Sequence, residues 1–337
     1  MRKKTFLISI DAEGDNFWEW LPGDPITTRN AEYVARFQLL CDKYGFRPTY
    51  LTNYEMACDR RFVELVAPAI FDGRCEIGMH LHAWNTPPLY DLPIREDIQP
   101  GECAYLIEYP TKIMEEKIRF MTEFLEKTFG TRPVVHRAGR WATDERYLQL
   151  LSKYGYLADC SVAPGMNMQR AKGFTVGSAG TNYEGFPQLP YIIRGTSLLE
   201  IPMTVRTNHY IKKTNSLNPR RFLRNLVRAI KGRGMIWLRP DGDNLNEMKY
   251  LARTVARSKS DYLMLMLHTS EMMPGGSPVF KTEEGIEKMY ADLDCLFAYI
   301  SNYYIGDTIG GYASKVLSLN SKIKCTVNDG ERKPYDE

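Results

Sequence analysis

Short apolar runs recur along the chain, separated by longer stretches in which apolar residues fall three and four apart. The first pattern predicts buried strands and the second predicts helices packed against them. Phe6-Leu7-Ile8-Ser9-Ile10 reads as a first strand. Val34, Phe37, Leu40, Cys41 and Tyr44 share one helical face over 30–44, and Gly45 supplies the stop. Pro48 to Thr52 reads as a second strand, Asp59 as the cap of a helix reaching Phe71, and Cys75 to Met79 as a third strand. Thr111 is expected to cap a helix whose apolar face is Met114, Ile118, Met121, Leu125 and Phe129. A strand over Pro133 to His136, a helix from Thr143 to Gly155 and a short run at 156–158 continue the alternation. Further strands are expected at Ser197 to Val205, Met235 to Leu238 and Asp261 to Leu267, with a last helix from Thr282 to Tyr304. The proline-rich segment 85–110 and the Gly-, Pro- and aromatic-rich segment 163–196 read as long loops. About seven strand–helix units favour an α/β barrel over an open sheet. One domain is expected over 1–320, followed by a polar C-terminal tail at 321–337.

Ionisable residues follow three of these runs directly. The first strand leads into Asp11-Ala12-Glu13, the third into His80-Leu81-His82, and Leu263 to Leu267 into His268. Carboxyl ends of parallel strands share one rim, where catalytic groups collect. Two carboxylates, two closely spaced histidines and a late third histidine form a credible inventory for a metal hydrolase. Residues two apart on an extended backbone project to one side, so His80 and His82 can reach a single ion, and Glu13 shares a face with Asp11.

Composition narrows the classes. Across 337 residues, 44% are apolar and 25% charged, as in ordinary globular proteins. The 44 basic and 41 acidic residues give a formal net charge of +3, too balanced to predict nucleic-acid binding. Seven dispersed cysteines without a Cys-x-x-Cys pair predict neither a disulfide framework nor a zinc ribbon. No apolar segment is long enough to span a bilayer, and no secretory signal is evident. A cytoplasmic location is therefore the expectation.

The motifs carry a resemblance. Ile10-Asp11-Ala12-Glu13-Gly14-Asp15, Glu76-Ile77-Gly78-Met79-His80, Arg137-Ala138-Gly139-Arg140-Trp141, Asp159-Cys160-Ser161 and Leu267-His268-Thr269-Ser270-Glu271 occur in the order of the polysaccharide deacetylase motifs. The chain thus resembles the NodB-homology, or carbohydrate esterase family 4, superfamily over roughly 6–310. The strings from His80 to Trp84, from His268 to Glu271 and from Pro274 to Pro278 look like a subgroup found in cell-surface polysaccharide biosynthesis. The resemblance implies an incomplete (β/α)7 barrel, one divalent metal and removal of an N-acetyl group from a sugar in an O-antigen- or capsule-type intermediate. It assigns Asp11 as general base and His268 as general acid, with Arg137 orienting the base and Asp159 orienting a nearby imidazole or arginine. Glu13, His80 and His82 become the metal ligands, a set that suits Zn²⁺ best and also Fe, Co or Ni. Trp84, Arg140, Trp141 and Glu271 are the substrate-binding candidates, although packing roles fit the two tryptophans equally well. Two departures stand out: Ala12 separates the two acids, and Trp84 occupies the position four after His80 where the family has a second histidine. Hydrolysis of another amide (a formamide or cyclic amide) and a carbohydrate-binding homologue without catalysis are the alternatives.

One segment lies outside the resemblance. No acidic residue occurs between Glu200 and Asp241, while the same stretch holds ten Lys and Arg. A helix over 218–233 is expected, with Phe222, Leu223, Leu226, Val227 and Ile230 on one side. Its arginines would attract a lipid- or nucleotide-linked sugar phosphate or an anionic membrane face, or would simply be solvated while the apolar stripe packs on the barrel. The oligomeric state is not encoded in any visible pattern.

Overall fold

Nine short strands alternate with helices in one curled sheet, and their order follows the apolar runs of the sequence. The computed structural model describes residues 3–210 and 234–324. Strand β1 (Lys4–Ala12) lies between β10 (Tyr262–His268) and β2 (Pro48–Thr52), and β3 (Glu76–Leu81), β4 (Val135–Ala138), β5 (Ala158–Asp159) and β7 (Leu199–Glu200) follow in parallel. The two-residue β6 (Tyr191–Ile192) adds antiparallel to β7, and β11 (Tyr304–Gly306) pairs with the start of β1. This is the irregular, incomplete (β/α)7 barrel that the resemblance implies, an instance of the α/β barrel that the alternation favours. No strand ladder joins β7 to β10 among the described residues. The gap is spanned instead by the chain after β7: the Met264 N–H donates to the Thr204 hydroxyl at 2.8 Å, and the Tyr262 hydroxyl donates to the Pro202 carbonyl. The Met266 N–H reaches the Leu238 carbonyl at 3.1 Å.

Alternation along each strand divides the core into two layers. Leu7, Leu51, Val135, Cys160, Ile201, Met264 and Met266 fill the barrel interior. Phe6, Ile8, Ile10, Tyr50 and Ile77 face outward onto the helices, where Phe6, Phe46 and Phe297 make edge-to-face contacts. Helix α1 (Val34–Tyr44) ends at Gly45, whose φ of 66° is the left-handed cap position glycine favours. Asp59 caps α3 (Arg60–Phe71), its carboxylate accepting from the N–H groups of Arg61 and Phe62. The fully buried Lys117 of α4 (Thr111–Phe129) donates to the Thr86 and Pro88 carbonyls at 2.5 and 2.6 Å, tying the 85–110 loop to the barrel.

Several boundaries differ from the sequence reading for local reasons. A five-residue helix α2 (Tyr54–Cys58) follows β2 because the Asn53 side chain accepts from the Met56 N–H. Asp144, not Thr143, caps α5 (Glu145–Lys153), and α4 begins at Thr111 without a side-chain cap. The expected strand over 197–205 is interrupted around Pro202, and β8 (Val205–Thr207) pairs instead with β9 (Met235–Trp237) as a separate ribbon. Helix α6 (Leu245–Ala256) buries Met248, Leu251, Ala252 and Val255. It precedes α7 (Glu283–Ile300), which Thr282 caps. Helix α8 (Ile309–Lys324) continues past residue 320 into the stretch read as a polar tail. The helix expected at 218–233 lies outside the described residues, as does the rest of the tail. Among the described residues no helix is long and apolar enough to cross a membrane.

Candidate active site

Parallel pairing sets the site by register. Asp11 is level with His268 on β10, and His80 is level with Arg137 on β4, so the motif residues converge at the C-terminal rim. Arg137 points inward across the barrel. Its Nη1 donates to Asp11 Oδ1 at 2.5 Å, its Nη2 to Ser9 Oγ at 2.9 Å and its Nε to the Cys160 carbonyl at 3.1 Å. Both members of this pair are buried. Asp11 Oδ2 is left without a hydrogen-bond partner, 3.8 Å from His268 Nε2.

Beside it, His80 Nε2 and His82 Nε2 converge on Glu13 Oε2 at 3.2 and 3.1 Å. Among the described residues these three form the one group of His, Cys, Asp or Glu close enough to hold a metal ion. Ligands bound at the lengths usual for Zn, arranged tetrahedrally, stand about 3.4 Å apart, so this spacing fits one cation. The donor set agrees. His80 Nδ1 is 3.0 Å from the Arg137 carbonyl, which fixes the proton there and turns the Nε2 lone pair toward Glu13. His82 Nδ1 lies 3.5 Å from the Asn53 amide nitrogen, too long a contact to fix its tautomer. Burial alone would raise the Glu13 carboxyl, but the charge of His268 and hydrogen bonds from His80 and His82 outweigh it and hold the group well below the usual range. Burial, with the neighbouring His80, lowers His82 to about 4, in keeping with a neutral, ligating imidazole. Gly139 is needed beside it: a Cβ there would sit 2.7 Å from the His82 ring and 2.5 Å from the Leu81 carbonyl oxygen.

His268 is held from behind. Its Nδ1 donates to Glu271 Oε2 at 2.9 Å, leaving Nε2 toward Asp11 and Glu13. Arg239 Nη2 donates to Glu271 Oε1 at 3.0 Å. Burial opposes ionisation of Glu271, yet the Arg239 charge and the His268 contacts bring its carboxyl down to about 2. Glu271 is thus a buried brace for His268, away from the cleft wall expected for a substrate contact. Asp159 is also absent from the cleft. It lies on the outward face, where it meets His136 Nδ1 at 2.6 Å and the Ser161 hydroxyl at 2.9 Å, so the imidazole it orients is His136. His136 Nε2 in turn faces the Tyr147 hydroxyl at 2.6 Å.

These groups form the floor of a cleft of about 470 Å³, a size suited to a small sugar. Phe17, Trp18, Trp84, Tyr105 and Trp141 line it, as do Arg140, Arg170 and Arg239. Trp84, at the position of the expected histidine, stacks on His82 with ring centroids 4.5 Å apart. Trp18 stands edge-on to His268 at 5.7 Å. Trp141 packs against Trp237 and lies 4.6 Å from the Arg137 guanidinium carbon, so it lines the cleft and packs at once. Arg140 and Trp141 adopt left-handed φ values of 57° and 63°, a strain that persists only where the surrounding structure holds the backbone.

On α2, Glu55 is burdened by burial. Desolvation pushes its carboxyl up to about 7, and one of its oxygens is buried without a partner. The folded chain therefore keeps a proton that the unfolded chain releases above about pH 4.5, and stability falls as pH rises from there to about 7. Glu55→Gln is expected to remove that slope, gaining about 3 kcal/mol over the parent between pH 4 and pH 8. Urea midpoints across that range measure it, and parallel profiles for the two proteins would refute it.

Fold and site together define a class: a parallel α/β barrel with a carboxylate–imidazole centre at the C-terminal ends of its strands. No protein-family model and no curated protein matches the chain. Solved structures do. A protein described as a "putative polysaccharide deacetylase" from Mycobacterium smegmatis matches with TM-score 0.52 and 15% identity, over 99% of this chain and 96% of that one. A 4-alpha-glucanotransferase from Thermococcus litoralis matches with TM-score 0.50 and 12% identity, over 94% of this chain and 41% of that one. A "probable Polysaccharide deacetylase" from Pseudomonas aeruginosa follows at TM-score 0.46 and 14% identity, over 96% and 92%. The likeness is one of fold, and the different names attached to these structures leave the reaction to be argued from the site.

Proposed function

We propose that the chain is a metal-dependent carbohydrate de-N-acetylase, releasing acetate and a free amine from an acetamido sugar. One observation carries this reading: Asp11, the Glu13–His80–His82 group and His268 face one another across a few ångströms in an aromatic-walled cleft. A divalent cation held by Glu13, His80 and His82 would lower the pKa of water from about 16 toward 7 and polarise the acyl oxygen. Asp11 Oδ2, unpartnered and facing the cleft, takes the proton of the attacking water. Arg137 occupies Oδ1 and fixes that geometry. His268 Nε2 gives a proton to the departing amine, while Glu271 secures Nδ1. The aromatic walls stack on the apolar faces of the sugar and exclude bulk water.

Zn²⁺ is the preferred ion, with Fe, Co or Ni compatible with the same donors. The proposed setting is cytoplasmic assembly of a surface polysaccharide, on an intermediate that is lipid- or nucleotide-linked. The unpaired thiols of Cys41, Cys75, Cys103 and Cys160 support a reducing compartment. Contact of 218–233 with an anionic membrane face is proposed from sequence alone. The deciding experiment loads the full chain separately with Zn, Co, Ni and Fe and follows acetate and formate release from N-acetyl and N-formyl amino sugars and a cyclic amide. Metal-dependent acetate release supports the proposal. Formate release or ring opening without acetate would move the assignment to another amide. Glycan binding by a metal-free, inert chain would leave a binding protein.

A further inference from the structure

The charges in the cleft are unevenly compensated. At the floor, Asp11 is paired with Arg137, and Glu13 is engaged by His80 and His82. On the rim, Arg239 is paired with Glu271. Asp11 and Glu13 are the cleft's only acidic lining residues among those described. The wall built from 101–105, 139–141 and 167–171 contributes two more guanidinium groups, Arg140 and Arg170, and neither has an acidic partner among the described residues.

Three acids flanking this wall are already engaged elsewhere. Asp97 pairs with Arg95 and with Lys172, and Glu102 pairs with Arg95. Glu108 accepts from the N–H groups of Tyr105, Phe174 and Thr175. Arg140 is nonetheless held in place. Its Nη1 donates to the Cys103 and Lys172 carbonyls, and its guanidinium lies 4.3 Å over the Tyr105 ring. Nε and Nη2 have no partner among the described residues. A guanidinium fixed through one nitrogen, by a backbone held at positive φ, presents its remaining donors as a preorganised fork for an oxyanion. Arg170 is exposed at the mouth of the same cleft.

We propose that Arg140 and Arg170 form an anion subsite on the cleft wall, and that the acetamido sugar this chain acts on carries a carboxylate or phosphate group. The sugar part of this statement rests on the deacetylase reading; the anion subsite does not. Arg140 supplies the directional contact and Arg170 the outer charge. The aromatic residues that line the same cleft would cover the uncharged face of the ring.

Calorimetric titration of the full chain with three probes tests this: methyl N-acetylglucosaminide, N-acetylglucosamine 1-phosphate and N-acetylglucosaminuronate. Either or both charged probes are expected to bind about tenfold more tightly than the neutral one. The better-bound charged probe identifies phosphate or carboxylate as the source of the anion. Arg140→Gln and Arg170→Gln should each narrow the ratio, and Arg170→Glu should abolish it. Arg170 is on the surface, so its variants test the charge without disturbing the fold. Equal affinity for charged and neutral probes, an unaltered ratio in the variants, or no measurable binding of any probe overturns the subsite. A charge-dependent ratio without acetate release from any probe upholds the subsite and sinks the deacetylase reading. Equal binding with metal-dependent acetate release does the reverse.

Discussion

Arg137→Met is expected to lower folding stability by about 3–5 kcal/mol at pH 7, read as the shift in urea unfolding free energy. The guanidinium is fully buried and satisfies Asp11, the Ser9 hydroxyl and the Cys160 carbonyl. A Met side chain fills similar space but strands the Asp11 carboxylate in the interior, with Glu13 nearby. The double variant Arg137→Met with Asp11→Asn removes the stranded charge and should recover part of the loss. A single-variant cost below about 1 kcal/mol, or a double variant less stable than the single, would show that the pair does not organise the barrel.

Much of this architecture was legible because the barrel repeats one simple signal. The run from Phe6 to Ile10 alternates between lumen and helix layer, and Asp11 necessarily ends on the lumen side with Ser9. The same parity separates Arg137 from its neighbour His136, which lies on the outward face against Tyr147. It also brings His80 and His82 to one carboxylate. Boundaries shifted where one polar side chain decides: Asn53 begins a helix directly after a strand, and Asp144 outcompetes Thr143 as a cap. Strand β11 has three residues and no periodicity to detect, while α6 begins in a polar stretch that masks its apolar face.

The site was less legible where a partner comes from another part of the chain. Asp159 follows an apolar run as a site residue might, but its side parity matches His136 rather than Arg137, and its carboxylate never reaches the cleft. The brace on His268 is Glu271, only three residues ahead, where a short helical turn folds it back under the imidazole. Arg239 belongs to a basic stretch whose electrostatics suggest a surface, and only the ring closure by Leu238 brings it to Glu271. Arg170 lies within the 163–196 segment read as a long loop, where no periodicity marks which side chains face inward.

Metal content and acetate release are expected to separate in two single variants. His80→Ala removes one of three donors to the proposed ion, so the purified chain should lose stoichiometric metal and its activity should fall by about four orders of magnitude. His268→Ala removes the proton donor to the leaving amine while Glu13, His80 and His82 keep their places. It should retain metal and lose about 10²–10⁴-fold in kcat. Elemental analysis of both proteins, beside acetate release from the same N-acetyl sugar, distinguishes the roles. Metal loss in His268→Ala would make that histidine a ligand, and full metal occupancy in His80→Ala would remove His80 from the centre. Circular dichroism guards the comparison, because the Arg137 carbonyl loses its His80 partner in the first variant and Glu271 keeps Arg239 in the second. The two outcomes together test one claim: that a single cation and a single imidazole act on opposite sides of the same amide.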